Sequence, residues 1–219
     1  AGDFDGQTLQ IDYTSNEVMA SGLGDTAVGG ETITLNGKVY QTAILDQLTN
    51  SIDFGIVHVG DVVGAQGVGI ENDAAGALND VITGGLDTLD GPFQGGGSLG
   101  AGVAAGTNSF GLTIGLDTSA AGVFAGTATL DLFSSNHDLA DLALLGEAPV
   151  SLSATVNNFA NPEFFQPGGD GTCSGAGYAF TIDCGNVTQG DIEAAVLGVI
   201  NNVIGPADLL DGLVMETVL

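Results

Sequence analysis

Short runs of alternating polar and apolar residues, each closed by a turn signal, constrain this chain more than any other feature. Thr8-Leu9-Gln10-Ile11-Asp12-Tyr13 and Thr32-Ile33-Thr34-Leu35 alternate in this way. Asn36-Gly37, a strong tight-turn or bulge signal, follows the second run and leads into Lys38-Val39-Tyr40. Residues 110–116, 126–132 and 150–156 repeat the pattern. A period of two sends successive side chains to opposite faces of a strand, so each run predicts a strand with one buried face. Many such runs at regular spacing, with no long helical stretch between them, predict an all-β immunoglobulin-like sandwich. Two segments are open to a helical reading. They are residues 138–145 and residues 190–204, and the second reads equally as a buried strand pair.

Charge narrows the partners. A single basic residue, Lys38, stands against 27 Asp and Glu, giving a formal charge of -26 over 219 residues. Nucleic acid and anionic membrane surfaces both need clustered Lys and Arg, so neither is expected as a partner. Because 44% of the residues are hydrophobic, the chain is expected to fold despite its charge. No run approaches the roughly 18–20 apolar residues of a membrane span, so membrane insertion is not expected. A start at Ala1 fits a mature, secreted protein. Cys173 and Cys184 lack the spacing of a C-x-x-C site and have no nearby His. The pair is read as a disulfide closing a short loop, a link of about 3 kcal/mol in the loop-entropy account. Such a link would belong to an oxidising exterior.

Internal repeats organise the chain. Ile52-Asp-Phe-Gly-Ile-Val-His-Val-Gly-Asp61 aligns with Ile182-Asp-Cys-Gly-Asn-Val-Thr-Gln-Gly-Asp191, matching at Ile, Asp, Gly, Val, Gly and Asp. The match continues with Ile70 opposite Ile200 and Asn72 opposite Asn202. Gly30-Glu-Thr-Ile-Thr-Leu35 resembles Gly146-Glu-Ala-Pro-Val-Ser-Leu152, Phe4-Asp-Gly6 resembles Phe124-Ala-Gly126, and Thr14-Ser-Asn16 resembles Ser134-Ser-Asn136. Four parts follow. Residues 1–45 read as the back half of a sandwich, 46–160 as a complete sandwich, 161–177 as a linker and 178–219 as a front half. The two halves together would form a composite second sandwich that lacks counterparts of residues 90–120.

Phe54-Gly55, Val57 and Gly60, followed by Val68-Gly-Ile70 and Asn72, resemble immunoglobulin-like domains of the abnormal-spindle/hydin class. With Gly126-Thr-Ala-Thr129 near the end of the unit, the pattern is similar to bacterial surface repeats of the choice-of-anchor D type. The resemblance implies exported proteins whose domains serve as spacers, adhesive modules or lattice units, and it implies no catalytic residues. Cys184 replaces Phe54 in the second copy, which suggests a last half-domain specialised around the disulfide.

A sandwich cut at mid-fold leaves open edges and an open core, which invite pairing with another chain. The back half offers Leu9, Ile11, Tyr13, Ile33, Leu35 and Val39; the front half offers Phe180, Ile182, Val187, Val196, Val199 and Ile200. Completion is open to two routes, within one chain or between the C-terminal half of one subunit and the N-terminal half of the next. The second route builds a homopolymer by strand complementation. The primary expectation is a non-catalytic structural subunit of a secreted, cell-surface filament. The alternative is an adhesin-type module, excised from a longer protein, that binds a glycan or other surface ligand.

Enzymatic chemistry has little support. His58 lies in the repeated strand motif opposite Thr188 and reads as a surface residue. His137 sits beside Asp138 and Asp141 in a turn. No G-x-S-x-G or H-E-x-x-H motif occurs, and the glycine clusters lack the context of a phosphate loop. No cofactor is expected. Weak, bridging calcium is the one metal considered, through Asp3, Asp5 and Asp12 or through Asp87 and Asp90, none of which has EF-hand spacing. Asn186-Val-Thr188 matches a glycosylation sequon inside a repeated strand. Phe164-Phe165, flanked by Pro162 and Pro167, reads as an anchor in the linker.

Overall fold

The computed structural model describes residues 1–16, 22–139, 143–177 and 179–212, and among them every regular element is a strand. The first four form a bent hairpin: β1 (Gly2–Asp3), β2 (Gln7–Ser15), β3 (Thr26–Leu35) and β4 (Lys38–Val39), with β1 paired to β4 and β2 to β3. Eight strands follow: β5 (Leu45–Gln47), β6 (Ser51–His58), β7 (Gln66–Asn72), β8 (Val81–Leu89), β9 (Phe93–Gly97), β10 (Thr107–Leu116), β11 (Gly122–Ser135) and β12 (Ala143–Asn157). They form two four-stranded sheets, ordered β5-β7-β10-β9 and β6-β12-β11-β8. All ladders are antiparallel except β6 on β12, which is parallel.

The two sheets face each other across one core, the immunoglobulin-like sandwich that the alternation predicts. Val68, Ile70, Leu112 and Ile114 from one sheet meet Ile82, Leu130, Leu132 and Val150 from the other, and all are fully or almost fully buried. Along β11 burial alternates residue by residue from Ala128 to Ser134, as a period of two requires. Asn72 is the polar pin of this core. Its Oδ1 accepts the Ile44 and Ala74 N–H groups, and its Nδ2 donates to the Asp80 and Val103 carbonyls. All four hydrogen-bonding positions of this buried amide are filled.

Four further strands complete the described chain: β13 (Pro162–Gly169), β14 (Thr172–Ala176), β15 (Ala179–Asp183) and β16 (Ala195–Asn201). They form two separate ribbons, β13-β16 and β14-β15. The segment read as a linker thus carries β13 and β14. No described ladder joins these ribbons to the N-terminal hairpin.

Two sequence readings are corrected. Neither segment open to a helical reading is helical among the described residues: of 138–145, residues 140–142 lie outside them and β12 begins at Ala143, while in 190–204 the strand alternative holds, residues 195–201 pairing with β13. Val196, Val199 and Ile200 are β-branched and Gly198 interrupts them, which disfavours helix and suits a pleated ribbon. Cys173 and Cys184 are free thiols, not a disulfide. Cys173 lies opposite Ile182 in the β14·β15 ladder. Cys184 is therefore a diagonal neighbour, roughly 7–8 Å away, beyond the roughly 4.4–6.8 Å that a disulfide usually spans.

Candidate assembly interface

The N-terminal hairpin is a register-for-register copy of the hairpin at the heart of the sandwich. Gln7↔Leu35, Leu9↔Ile33, Ile11↔Glu31 and Tyr13↔Gly29 in β2·β3 correspond to Gly126↔Leu152, Ala128↔Val150, Leu130↔Ala148 and Leu132↔Gly146 in β11·β12. Both ladders slip by one residue at the next step, after Tyr13 in one and after Leu132 in the other. At each slip the partner strand carries a glycine at positive φ, 114° at Gly29 and 123° at Gly146, a conformation that suits a bulge. The pair Gly2↔Val39 likewise matches Gly122↔Val156. Between them, residues 4–6 contain one residue more than the central copy. Ser15, not Thr14, is therefore the structural counterpart of Ser134.

This equivalence gives the apolar residues of the hairpin a meaning. Leu9, Tyr13, Ile33, Leu35 and Val39 keep 43–53% of their surface exposed. Their counterparts Ala128, Leu132, Val150, Leu152 and Val156 keep at most 3%. Ile11, the sixth, is half-buried where Leu130 is fully buried. One face that forms a core in the sandwich is bare in the hairpin.

The C-terminal ribbons copy the start of the sandwich in the same sense. Asn201 repeats Asn72: its Oδ1 accepts the Asn161 N–H at 2.8 Å, as Asn72 takes Ile44 N–H, and its Nδ2 donates to the Asp208 carbonyl at 2.9 Å, as Asn72 does to Asp80. The Asx turn Asp53–Gly55 recurs as Asp183–Gly185, each with the Asp Oδ1 accepting the Gly N–H at 2.9 Å. His58–Asp61 recurs as Thr188–Asp191, with the Asp carboxylate capping the first backbone N–H of each. β15 and β16 are thus the counterparts of β6 and β7. Because Asn201 takes the place of Asn72, Leu197 and Val199 stand where Val68 and Ile70 stand in the core. Both are about half exposed, against full burial of their counterparts.

Of the residues singled out in the sequence, Leu9, Ile11, Tyr13, Ile33, Leu35 and Val39 share the bare face of the hairpin. Ile182 is the counterpart of core Ile52, and Val187 that of Val57. Val199 faces with Leu197, a residue that sequence reasoning missed, whereas Val196 and Ile200 alternate to the other side of β16. Phe180 packs against Phe164 at a centroid distance of 5.1 Å. A shallow cleft beside this pair is lined by Phe164, Phe165, Cys173 and Phe180.

The joints on either side of the sandwich also repeat. Gln41 N–H donates to Leu78 and the Gln41 carbonyl accepts Asp80 N–H; Asn158 does the same with Pro206 and Asp208. At the second joint His58 stacks on Phe159 with ring centroids 4.3 Å apart, and its Nε2 lies 2.7 Å from Asp208 Oδ2. At the first, the Tyr40 hydroxyl donates to Asp138, which raises the tyrosine pKa and lowers that of the carboxyl.

The residues weighed for catalytic or metal roles lie in separate places. His58 is engaged in a joint, and His137 is almost wholly exposed beside Asp138. Asp141 lies outside the described residues. Asp3 caps Asp5 N–H, Asp12 pairs with the Gln10 amide, and Asp90 meets Thr127 N–H. Among the described residues no three His, Cys, Asp or Glu side chains converge on one point. No family model and no curated protein matches the chain.

Proposed function

We propose that the chain is a non-catalytic structural subunit of an extracellular filament or surface layer, in which the N-terminal hairpin of one copy is completed by the C-terminal ribbons of the next. One observation carries this reading: the apolar positions left bare at the ends are the register counterparts of positions fully buried in the central sandwich. Burying a side chain of this size contributes about 1.5–3 kcal/mol. Because these residues are already about half-buried, the hairpin's six and the partner face's Ile182, Leu197 and Val199 together contribute roughly 7–13 kcal/mol, which is of the size of an association cost of roughly 4–15 kcal/mol. A head-to-tail contact of this kind either closes a ring or propagates as a fibre. The resemblance to choice-of-anchor D repeats points the same way, to an exported spacer or lattice unit.

Sedimentation over a wide concentration range, paired with electron microscopy and intact mass, tests the reading. Concentration-dependent head-to-tail polymers of the full-length chain are expected. A strictly monomeric chain would sink it. It would favour instead a ligand-binding module, for which the aromatic cleft at Phe164, Phe165 and Phe180 is the supporting observation.

A further inference from the structure

The central sandwich contains both halves of the fold already assembled, so it serves as a template for how the halves meet. In it, β6 lies parallel along the outer edge of β12, with Ser151↔Ser51, Leu152↔Ile52 and Ser153↔Asp53 in register, then Val156↔Val57 after a bulge. β3 and β4 correspond to β12, and β15 with the turn after it corresponds to β6. Among the described residues, β3 in the two-stranded sheet β2-β3 and β15 in the two-stranded sheet β14-β15 each have one edge without a ladder partner.

We propose that β15 of one copy adds to the open edge of β3 in a second copy as a parallel strand, in the register that β6 takes on β12. This rests on the assembly reading above and gives it a specific contact. Thr181 then lies opposite Thr34, Ile182 opposite Leu35, Asp183 opposite Asn36 and Val187 opposite Val39. The sheet order β14-β15-β3-β2 reproduces the β6-β12-β11 core of the central sheet, with β14 added outside β15.

Two polar details fit this register. In the template Asp53 Oδ1 accepts both Gly55 N–H and the Ser153 hydroxyl, each at 2.9 Å. Asp183 already holds Gly185 N–H, and the residue brought opposite it is Asn36. The Asn36 Oδ1 takes Gly6 N–H, so its Nδ2 is the atom presented to a carboxylate. The second detail is the Ser134 hydroxyl, which donates to Asp80 Oδ2 and accepts Ala43 N–H. The corresponding residues are Ser15 in the hairpin and Asp208 and Ala160 in the C-terminal half. Completion brings the Ser15 hydroxyl of one copy to the Asp208 carboxylate of the other. A lateral slip of two residues would keep the apolar faces aligned but would separate both polar sets.

Cross-linking tests the register. Thr34 and Thr181 are exposed, so Thr34→Cys with Thr181→Cys in a Cys173→Ser, Cys184→Ser background leaves the folded parts undisturbed. Mild oxidation is expected to give a ladder of reducible multimers. The slipped pair Thr34→Cys with Asp183→Cys is expected to link at least tenfold more slowly, and either single variant to stop at dimers. Equal or faster linking by the slipped pair overturns the register, as does a linked product with the mass of one chain. Sedimentation of the same samples separates the two levels. Polymers that do not cross-link through Thr34 and Thr181 refute this contact while leaving assembly standing. A chain that neither sediments as polymers nor cross-links refutes both.

Discussion

Leu35 and Leu152 occupy equivalent positions in two copies of one hairpin, and alanine at each asks two different questions. Leu152 is 3% exposed in the sandwich core and Leu35 is 53% exposed on the bare face. Truncating a buried leucine costs about 2–5 kcal/mol, from lost transfer energy and from the cavity left behind. Leu152→Ala should therefore lower the melting temperature of the dilute chain by roughly 4–20 °C. Leu35→Ala should change that melt little, within about 1 kcal/mol, because half of its side chain is already in water. In a polymer the order changes. Leu35 becomes a core residue, and its truncation should weaken association by that 2–5 kcal/mol less what the dilute chain already loses, about 1–5 kcal/mol, which is at least about fivefold in the dissociation constant. Differential scanning calorimetry at low concentration and sedimentation at high concentration measure the two effects separately. If Leu35→Ala destabilises the dilute chain as much as Leu152→Ala, Leu35 is buried within one molecule and the proposed completion between copies is refuted. It is equally refuted if Leu35→Ala leaves the polymer unaffected.

Three further outcomes follow from the same structure. Both meeting halves are acidic, with Asp5, Asp12 and Glu31 in one and Asp183, Asp191 and Asp208 in the other. Raising NaCl from about 20 to 500 mM should strengthen assembly by screening this repulsion, and sedimentation showing the opposite would indicate an interface held by ion pairs. Asn72→Ala strips partners from Ile44 N–H and the Asp80 carbonyl in a buried site and should cost about 2–4 kcal/mol in urea unfolding. Asn201→Ala, at an exposed site, should cost less than about 1 kcal/mol in the dilute chain. Finally, the Asp53 carboxyl titrates below its ordinary value, chiefly because Gly55 N–H and then the Ser153 hydroxyl bind its ionised form. A depressed folded pKa contributes stability above the unfolded carboxyl value, and that contribution is lost as pH falls through the folded value. Ser153→Ala should move the Asp53 titration, followed by NMR, partway back up; an unmoved titration would remove Ser153 as a cause.

The strands were legible because period-two alternation survives in every segment that has two distinct faces. The duplication was also legible, since turn motifs such as Asp53–Gly55 and Asp183–Gly185 depend on local side-chain bonds that sequence preserves. Register was not. The extra residue in 4–6 and the slip at Gly29 each displace a strand by one, and one residue reverses which side chains face the core. In the C-terminal copy one residue fewer separates Asp191 from Asn201 than separates Asp61 from Asn72, so sequence alignment set Asn72 against Asn202 where hydrogen bonding sets it against Asn201, and Leu197 went unnoticed. Cysteine pairing failed for the same reason: two cysteines near in sequence became diagonal neighbours once the β14·β15 ladder fixed their positions. The helical reading of 190–204 arose from an apolar run whose period is ambiguous at that length.

The repeated joints bear on what an assembly would look like. Gln41 with Leu78 and Asp80, and Asn158 with Pro206 and Asp208, hold the chain by the same pair of backbone bonds before and after the sandwich. The N-terminal hairpin therefore leads into the sandwich by the path along which the sandwich leads into the C-terminal ribbons. If the ribbons of one copy complete the hairpin of the next in the template register, each composite unit is joined to its neighbours as the sandwich is joined to both ends. Successive units are then related by nearly one rotation and translation. A contact that repeats one operator without returning to its start builds a fibre. The His58–Asp208 contact and the Phe159 stack brace every second joint, where Tyr40 and Asp138 brace the others. Such a fibre would alternate between two slightly different spacings, and a two-unit axial repeat in averaged electron micrographs is the signature expected of it.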